Sequence, residues 1–149
     1  MTTFFDDVAA FHKKFGLELE GKGARLLAPE MMSLRNSRLM EEYEEYCSAV
    51  VDALHDLQRG NVTEVTDGLE AMLDGLVDLV YIALGTAYLH GFDFNEAWRR
   101  VHEANMQKVR AERAEQSKHG SRFDVIKPPG WKAPSHLDLV HPNLYTRNE

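Results

Sequence analysis

The 149-residue sequence has one cysteine, Cys47. No disulfide can form within the chain, and a reducing cytoplasm is the expected location, a host cytoplasm if the chain is phage-encoded. Basic residues are in deficit: 17 lysines and arginines face 24 aspartates and glutamates, for a formal net charge of −7. That balance argues against a nucleic-acid polymer as partner, since such binders carry a basic stripe. It leaves a single nucleotide open, because a bound metal ion inverts the local charge. The opening MTTFFDDVAAFHKKF lacks the basic stretch and apolar core of a secretory leader, and none is expected. No internal repeat, low-complexity tract or convincing β hairpin stands out. Before residue 128 the only proline is Pro29, so long helices can form.

The most apolar stretch is MLDGLVDLVYIALGTAYL, Met72 to Leu89, whose only charges are Asp74 and Asp78. A helix apolar on nearly every side is expected to be buried on nearly every side. The two acids make it a core helix rather than a membrane span, and no membrane partner is expected. Four residues apart, they share a face one turn from each other. Buried carboxylates so placed need a cation, a proton or a basic partner.

Taken in order, FFDDVAAFHKKF at 4–15 spaces Phe4, Val8, Phe11 and Phe15 as one stripe of a short helix. A loop with Gly21, Gly23 and Pro29 follows. A long helix then runs from about Glu30 to Leu57, its expected core face made of Leu39, Tyr43, Tyr46, Val50, Leu54 and Leu57, and Gly60 closes it. Asn61-Val-Thr-Glu64 has the form of a capping box opening a helix to about His90. Asp93-Phe-Asn-Glu96 repeats that form and opens a fourth helix, through about Arg113. The expected fold is all-α: two long antiparallel helices with shorter ones packed on them. Residues 1–120 form the domain. Residues 121–149 form an extended proline-rich tail, packed on the body or on a neighbouring subunit, with Trp131 pinning it.

EEYEEY at 41–46 puts Glu41, Glu42 and Glu45 on the second helix, at the edge of its core face. Glu42 falls about 80° from the centre of that face at about 100° per residue. Ala49 and Ala53 follow on the same edge and are expected to leave space beside the acids. A partner helix would bring Asp74 and Asp78 opposite them. Five carboxylates with no paired cysteine or well-placed histidine suit Mg²⁺, or Mn²⁺, better than zinc. Mg²⁺ commonly bridges carboxylates to substrate phosphates, so a polyphosphate substrate is implied. Blander readings stand beside this one. EEYEEY alone is the pattern of a solvated helix face, and Arg35 or Arg38 would balance the aspartates as ion pairs. A ferritin-like di-iron bundle wants Glu-x-x-His, which neither acidic cluster supplies.

FHKKFG at 11–16, SLRNSRLMEEYEEY at 33–46, LDGLVDLVYIALGTA at 73–87, VHEANMQK at 101–108 and KPPGW at 127–131 together resemble the all-α nucleoside triphosphate pyrophosphohydrolases. These are the MazG-like group, with dimeric dUTPases and phosphoribosyl-ATP pyrophosphohydrolases as relatives, and the likeness is greatest to small, often phage-encoded members. The resemblance implies cleavage of a (d)NTP between the α and β phosphates to a monophosphate and pyrophosphate, for nucleotide-pool control. It implies metals on an E-x-x-E helix and an E-x-x-D helix. Glu42 and Glu45 match the first motif, and Asp78 the last acid of the second. Three residues before Asp78 stands Gly75 instead of Glu, and the available acid is Asp74, one position earlier.

The resemblance thus implies two or three Mg²⁺ ions on Glu42, Glu45 and Asp78, with Asp74 close by. Glu41 is the candidate to orient or deprotonate the attacking water, together with Glu42. Lys108 and Arg38 are candidates to hold phosphates, and Asn105 to read a base or sugar edge. His12 and Tyr81 are candidates to contact the base, with Phe15 and Trp98 as further aromatics. Gly85 permits close helix approach. Deoxynucleotides are favoured, with dGTP and dUTP first. The competing readings are a non-catalytic helical interaction protein and a nucleotide sensor. So apolar a helix in so short a chain implies other subunits over it, as a homodimer or homotetramer.

Overall fold

A computed structural model describes residues 2–18, 21 and 23–140. Two compact units emerge, Met1–Phe92 and Asp93–Glu149.

The first unit holds α1 (Phe4–Lys14), α2 (Pro29–Arg59) and α3 (Val62–Leu89). Thr3 caps α1 reciprocally: its hydroxyl accepts from Asp6 N at 3.2 Å, and its own N–H donates to the Asp6 carboxylate at 2.7 Å. Pro29 starts α2, where its missing N–H costs nothing. Gly60, at φ +76°, ends it. Gly60 N donates to Leu57 O, and Asn61 N to Asp56 O at 3.0 Å, the paired bonds of a Schellman turn. This explains one departure from expectation. Asn61 precedes α3, but its side chain makes no capping bond, because its backbone is already committed to closing α2.

Helices α2 and α3 are antiparallel and pack along their lengths, and α1 packs on α3. Their approach is set by small residues. A Cβ built on Gly68 would lie 2.7 Å from the Ala53 Cβ, and one on Gly75 would lie 3.3 Å from the Tyr46 Cα. Seven residues back along α2, from Ala53 to Tyr46, move the contact seven forward on α3, from Gly68 to Gly75. The register is therefore constant. At the far end Arg35 clamps the pair, donating to Ile82 O at 2.7 Å and to Thr86 Oγ1 at 3.0 Å.

The buried face of α2 differs from the expected one. Ala49 and Ala53 are buried and Tyr46 and Glu42 half-buried, whereas Tyr43, Leu54 and Leu57 are exposed. The true face is rotated by roughly 60° towards Glu42, at about 100° per residue. Ala49 and Ala53 do not leave room beside the acids; they are where α3 comes closest. Burial of α3 is also less than expected. Its most apolar 18-residue window, long and apolar enough by composition to cross a membrane, is only 28% buried within the chain. Leu73, Val77 and Val80 are at least half exposed, and Asp74 and Asp78 are exposed as well. Within one chain α2 and α1 cover only part of the circumference.

The second unit holds α4 (Phe94–Met106), β1 (Val109–Arg110), a 3₁₀ turn (Ala114–Gln116), β2 (Val125–Ile126) and α5 (Leu137–Val140). Asp93 caps α4, accepting from Glu96 N at 3.1 Å. The helix ends seven residues before the expected Arg113, and β1 pairs antiparallel with β2, Val109 opposite Ile126 and Arg110 opposite Val125. Local periodicity does not register a partner so distant in sequence. Trp131 does pin the tail: its Nε1 donates to Ala104 O at 2.7 Å. Residues 141–149 of the expected tail lie outside the described residues.

Gly68→Ala tests the close approach. Alanine favours helix by about 1 kcal/mol, but forcing a methyl into the Ala53 backbone costs typically 1–3 kcal/mol. Thermal denaturation followed by circular dichroism should show a lower Tm; an equal or higher Tm would contradict the packing.

Candidate active site

The constant register places the acids. Four residues back from Tyr46 on α2 is Glu42, and four forward from Gly75 on α3 is Leu79, the neighbour of Asp78. Glu42 and Asp78 therefore face each other across the helix pair. Their charges feel one another: the Glu42 carboxyl titrates above the usual range, chiefly through partial burial, then through Glu45, Asp78 and Glu41. Three of these acids come from one helix and one from the other.

Arg38 NH1 holds the Glu41 carboxylate at 2.8 Å, a half-exposed pair one turn long. Neither Arg35 nor Arg38 neutralises the aspartates of α3: Arg35 is spent on the α3 backbone and on Thr86. The ion pairs entertained from sequence are not formed. Asp74 stands apart. It is not among the charges acting on Glu42, and it lines an open groove with Asp67, Glu70 and Leu73. At Gly75, the motif position, a Cβ would lie 3.3 Å from Tyr46, a tight contact that α2 would have to ease by a few tenths of an ångström before an acid could stand there.

The donors are all carboxylate oxygens, matched to a hard divalent cation. A site that raises the affinity of Glu42 for a proton also favours other cations, so the residues fit Mg²⁺. Among the described residues no three His, Cys, Asp or Glu side chains are gathered tightly enough to grip an ion as they stand. Like charges hold such groups apart.

The other candidates lie as follows. His12 is buried, 4% exposed, with Nδ1 bonded to Val8 O at 2.8 Å and its ring 4.9 Å from Tyr88. It lies over Gly85, where a Cβ would come 2.9 Å from both the His12 ring and the Arg35 guanidinium. These are the surroundings of a packing residue, and Gly85 does permit the expected close approach. Tyr81 meets Phe11 edge-on at 5.6 Å, and Phe11 meets Phe15 at 4.7 Å. Asn105, Lys108 and Trp98 belong to the second unit. Asn105 is exposed, Lys108 lies over Trp131 at 5.7 Å, and Trp98 stacks on Phe94. Sequence reasoning passed over Lys127, which lies 4.6 Å from the same indole, and gave Arg35 the part of an ion-pair partner rather than a clamp on the α3 backbone. The spacing of KPPGW was the available signal for Lys127; nothing local signalled Arg35.

Carboxylates presented from both members of a helical pair fit the resemblance to the MazG-like all-α nucleoside triphosphate pyrophosphohydrolases. The family model for phosphoribosyl-ATP pyrophosphohydrolase matches residues 8–105. The chain belongs to this family, within that superfamily. It is accordingly a pyrophosphohydrolase acting on nucleotide pyrophosphate bonds, a hydrolase of acid anhydrides. None of the curated proteins matches the chain.

The Glu42 shift has a measurable sign. A carboxyl raised in the folded state binds its proton more tightly there than when unfolded. The cost of ionising it therefore grows as pH rises from the unfolded pKa through the folded one. In chelator, Glu42→Gln should raise Tm at pH 7, and the gain should vanish well below the ordinary glutamate range. A pH-independent effect would show that the neighbouring charges do not act on Glu42.

Proposed function

We propose that the protein is a Mg²⁺-dependent nucleoside triphosphate pyrophosphohydrolase that cleaves a deoxynucleotide between its α and β phosphates. The observation that carries this reading is the opposition of Glu42 and Asp78 on α2 and α3, within a chain of this family. Glu42, Glu45 and Asp78 would hold the metal, with Asp74 the outlying acid. Mn²⁺ would serve in its place. Bound there, the metal supplies charge neutralisation of the phosphates and acidification of the attacking water. The chain's residues do the rest. Glu41, tethered to Arg38, would orient the water or accept its proton at the free carboxylate oxygen, or hold a further metal. Arg38 adds positive charge for the phosphates beside the acids. Gly68, Gly75 and the Arg35 clamp keep the two acidic helices in register, so closing on a metal would need only side-chain movement. Lys108 and Asn105 remain candidates for phosphate and base.

The exposed strip of α3, Leu73, Val77 and Val80, with Phe4 of α1, is proposed to be covered by further copies of the chain. Strips of this kind on a soluble protein mark interaction surfaces. Val80→Glu should reduce the sedimentation coefficient to that of a monomer; wild-type protein already monomeric would reject this.

The activity test uses a panel of the eight common NTPs and dNTPs with phosphoribosyl-ATP, in Mg²⁺, read by release of pyrophosphate. One of the deoxynucleotides should lead, with dGTP and dUTP first to try. Glu42→Gln and Asp78→Asn should each lower kcat at least about 100-fold, since even removal of groups that merely support metal ligands costs 10–100-fold. Orthophosphate release would reject the proposed bond, and preference for phosphoribosyl-ATP would reject the deoxynucleotide.

A further inference from the structure

Charge is divided unevenly along the chain. Residues 1–92 carry seven basic and sixteen acidic side chains, and residues 93–149 carry ten and eight. From Lys108 to Lys132 the ratio is seven to three. Four of the ten basic groups of the second unit are engaged as follows. Arg99 pairs with Glu96 and Glu103, and Arg100 with Glu96 and Asp138. Lys108 and Lys127 lie against Trp131. Arg110 and Arg122 form no ion pair among the described residues, and they line the same cavity.

That cavity, about 460 Å³, is bounded by Arg110, Ala111, Glu112, Arg122 and Phe123. Its framework is fixed. Arg110 sits on β1 opposite Val125. Ala111, only 2% exposed, forms the floor and donates its N–H to Asp124 O at 3.0 Å. The turn bearing Arg122 and Phe123 is tied at both ends. Phe123 N donates to Ser121 Oγ at 3.1 Å, and the Asp124 carboxylate accepts from buried Ser117 and from Val125 N. Phe123 is 77% exposed, with the Arg122 guanidinium 5.1 Å from its ring centre. Two arginines on separate segments thus converge on one space, with a large aromatic ring at its edge and one acid, Glu112, in its wall.

Guanidinium groups bind phosphate oxygens in pairs through a planar fork. An exposed aromatic ring is a platform on which any base can stack. The volume is that of a small-ligand site. We propose that this cavity binds the phosphate-bearing part of a nucleotide between Arg110 and Arg122, with the base over Phe123, and that it does so without a divalent ion. It stands independently of the hydrolytic reading. The acids of α2 and α3 repel phosphates unless a metal intervenes, whereas this cavity attracts them unaided, so a chelator separates the two.

The test is calorimetric titration of the full chain in EDTA with dGMP and with inorganic pyrophosphate. Both should bind. Arg110→Ala with Arg122→Ala should weaken both at least about tenfold. Should the alanines unfold the unit by circular dichroism, Arg110→Lys with Arg122→Lys replaces them; it keeps the charge, removes the fork and should still weaken both probes. Phe123→Ala should weaken dGMP and spare pyrophosphate, and Asp78→Asn should spare both. No heat from either probe at millimolar concentration, undiminished binding in the arginine variants, or loss of binding in Asp78→Asn would overturn the site. An equal effect of Phe123→Ala on both probes would overturn its assignment to a nucleotide.

Discussion

The near-contact of two helix backbones at Gly68 and Gly75 governs the rest of the N-terminal unit. With no side chain at either point, α3 settles against Ala53 and Tyr46 of α2, and the register cannot slip without driving a Cβ into backbone. Everything functional in that unit is a consequence of this register. Glu42 is carried to the level of Asp78, and Arg35 reaches the carbonyl of Ile82 and the hydroxyl of Thr86. A looser interface of leucines would tolerate several registers, and the acids would meet only in some of them.

The same closeness has an energetic cost. Glu42 is pressed against the partner helix among three other carboxylates, and its proton affinity rises. Arg38 relieves it only in part, as the smallest of the influences on Glu42, because its hydrogen bond goes to Glu41, and Arg35 goes to the α3 backbone and Thr86. Functional sites are often held in arrangements that a purely structural optimum would avoid. Here the acids of the helix pair keep most of their mutual repulsion. The chain's acidic balance is concentrated in this unit, while the second unit carries an excess of basic groups.

Much of this was legible in the residues. Helix identity and order followed from apolar spacing and from Gly60 and Asp93. The acids followed from EEYEEY and from two aspartates in an apolar run. What escaped was of three kinds. The facing side of α2 was misjudged because large apolar residues were taken to mark it, whereas glycine on α3 selects alanine opposite. Burial of α3 was overestimated because apolar character reports what a helix prefers, not what one chain can supply. The short ladder joining Val109–Arg110 to Val125–Ile126 was missed because pairing across an intervening turn leaves little local pattern, and α4 was extended over the first of its strands.

Gly75 has a consequence for how such a sequence can change over time. The motif that the resemblance implies has glutamate at this place, whereas here a Cβ would lie 3.3 Å from Tyr46, closer than ordinary contact. Shape and charge are in competition at one residue. A change to an acid there would cost packing before it could offer a ligand, and the cost falls if the neighbouring helix yields in step. What position 75 can hold therefore depends on how far residue 46 can move aside.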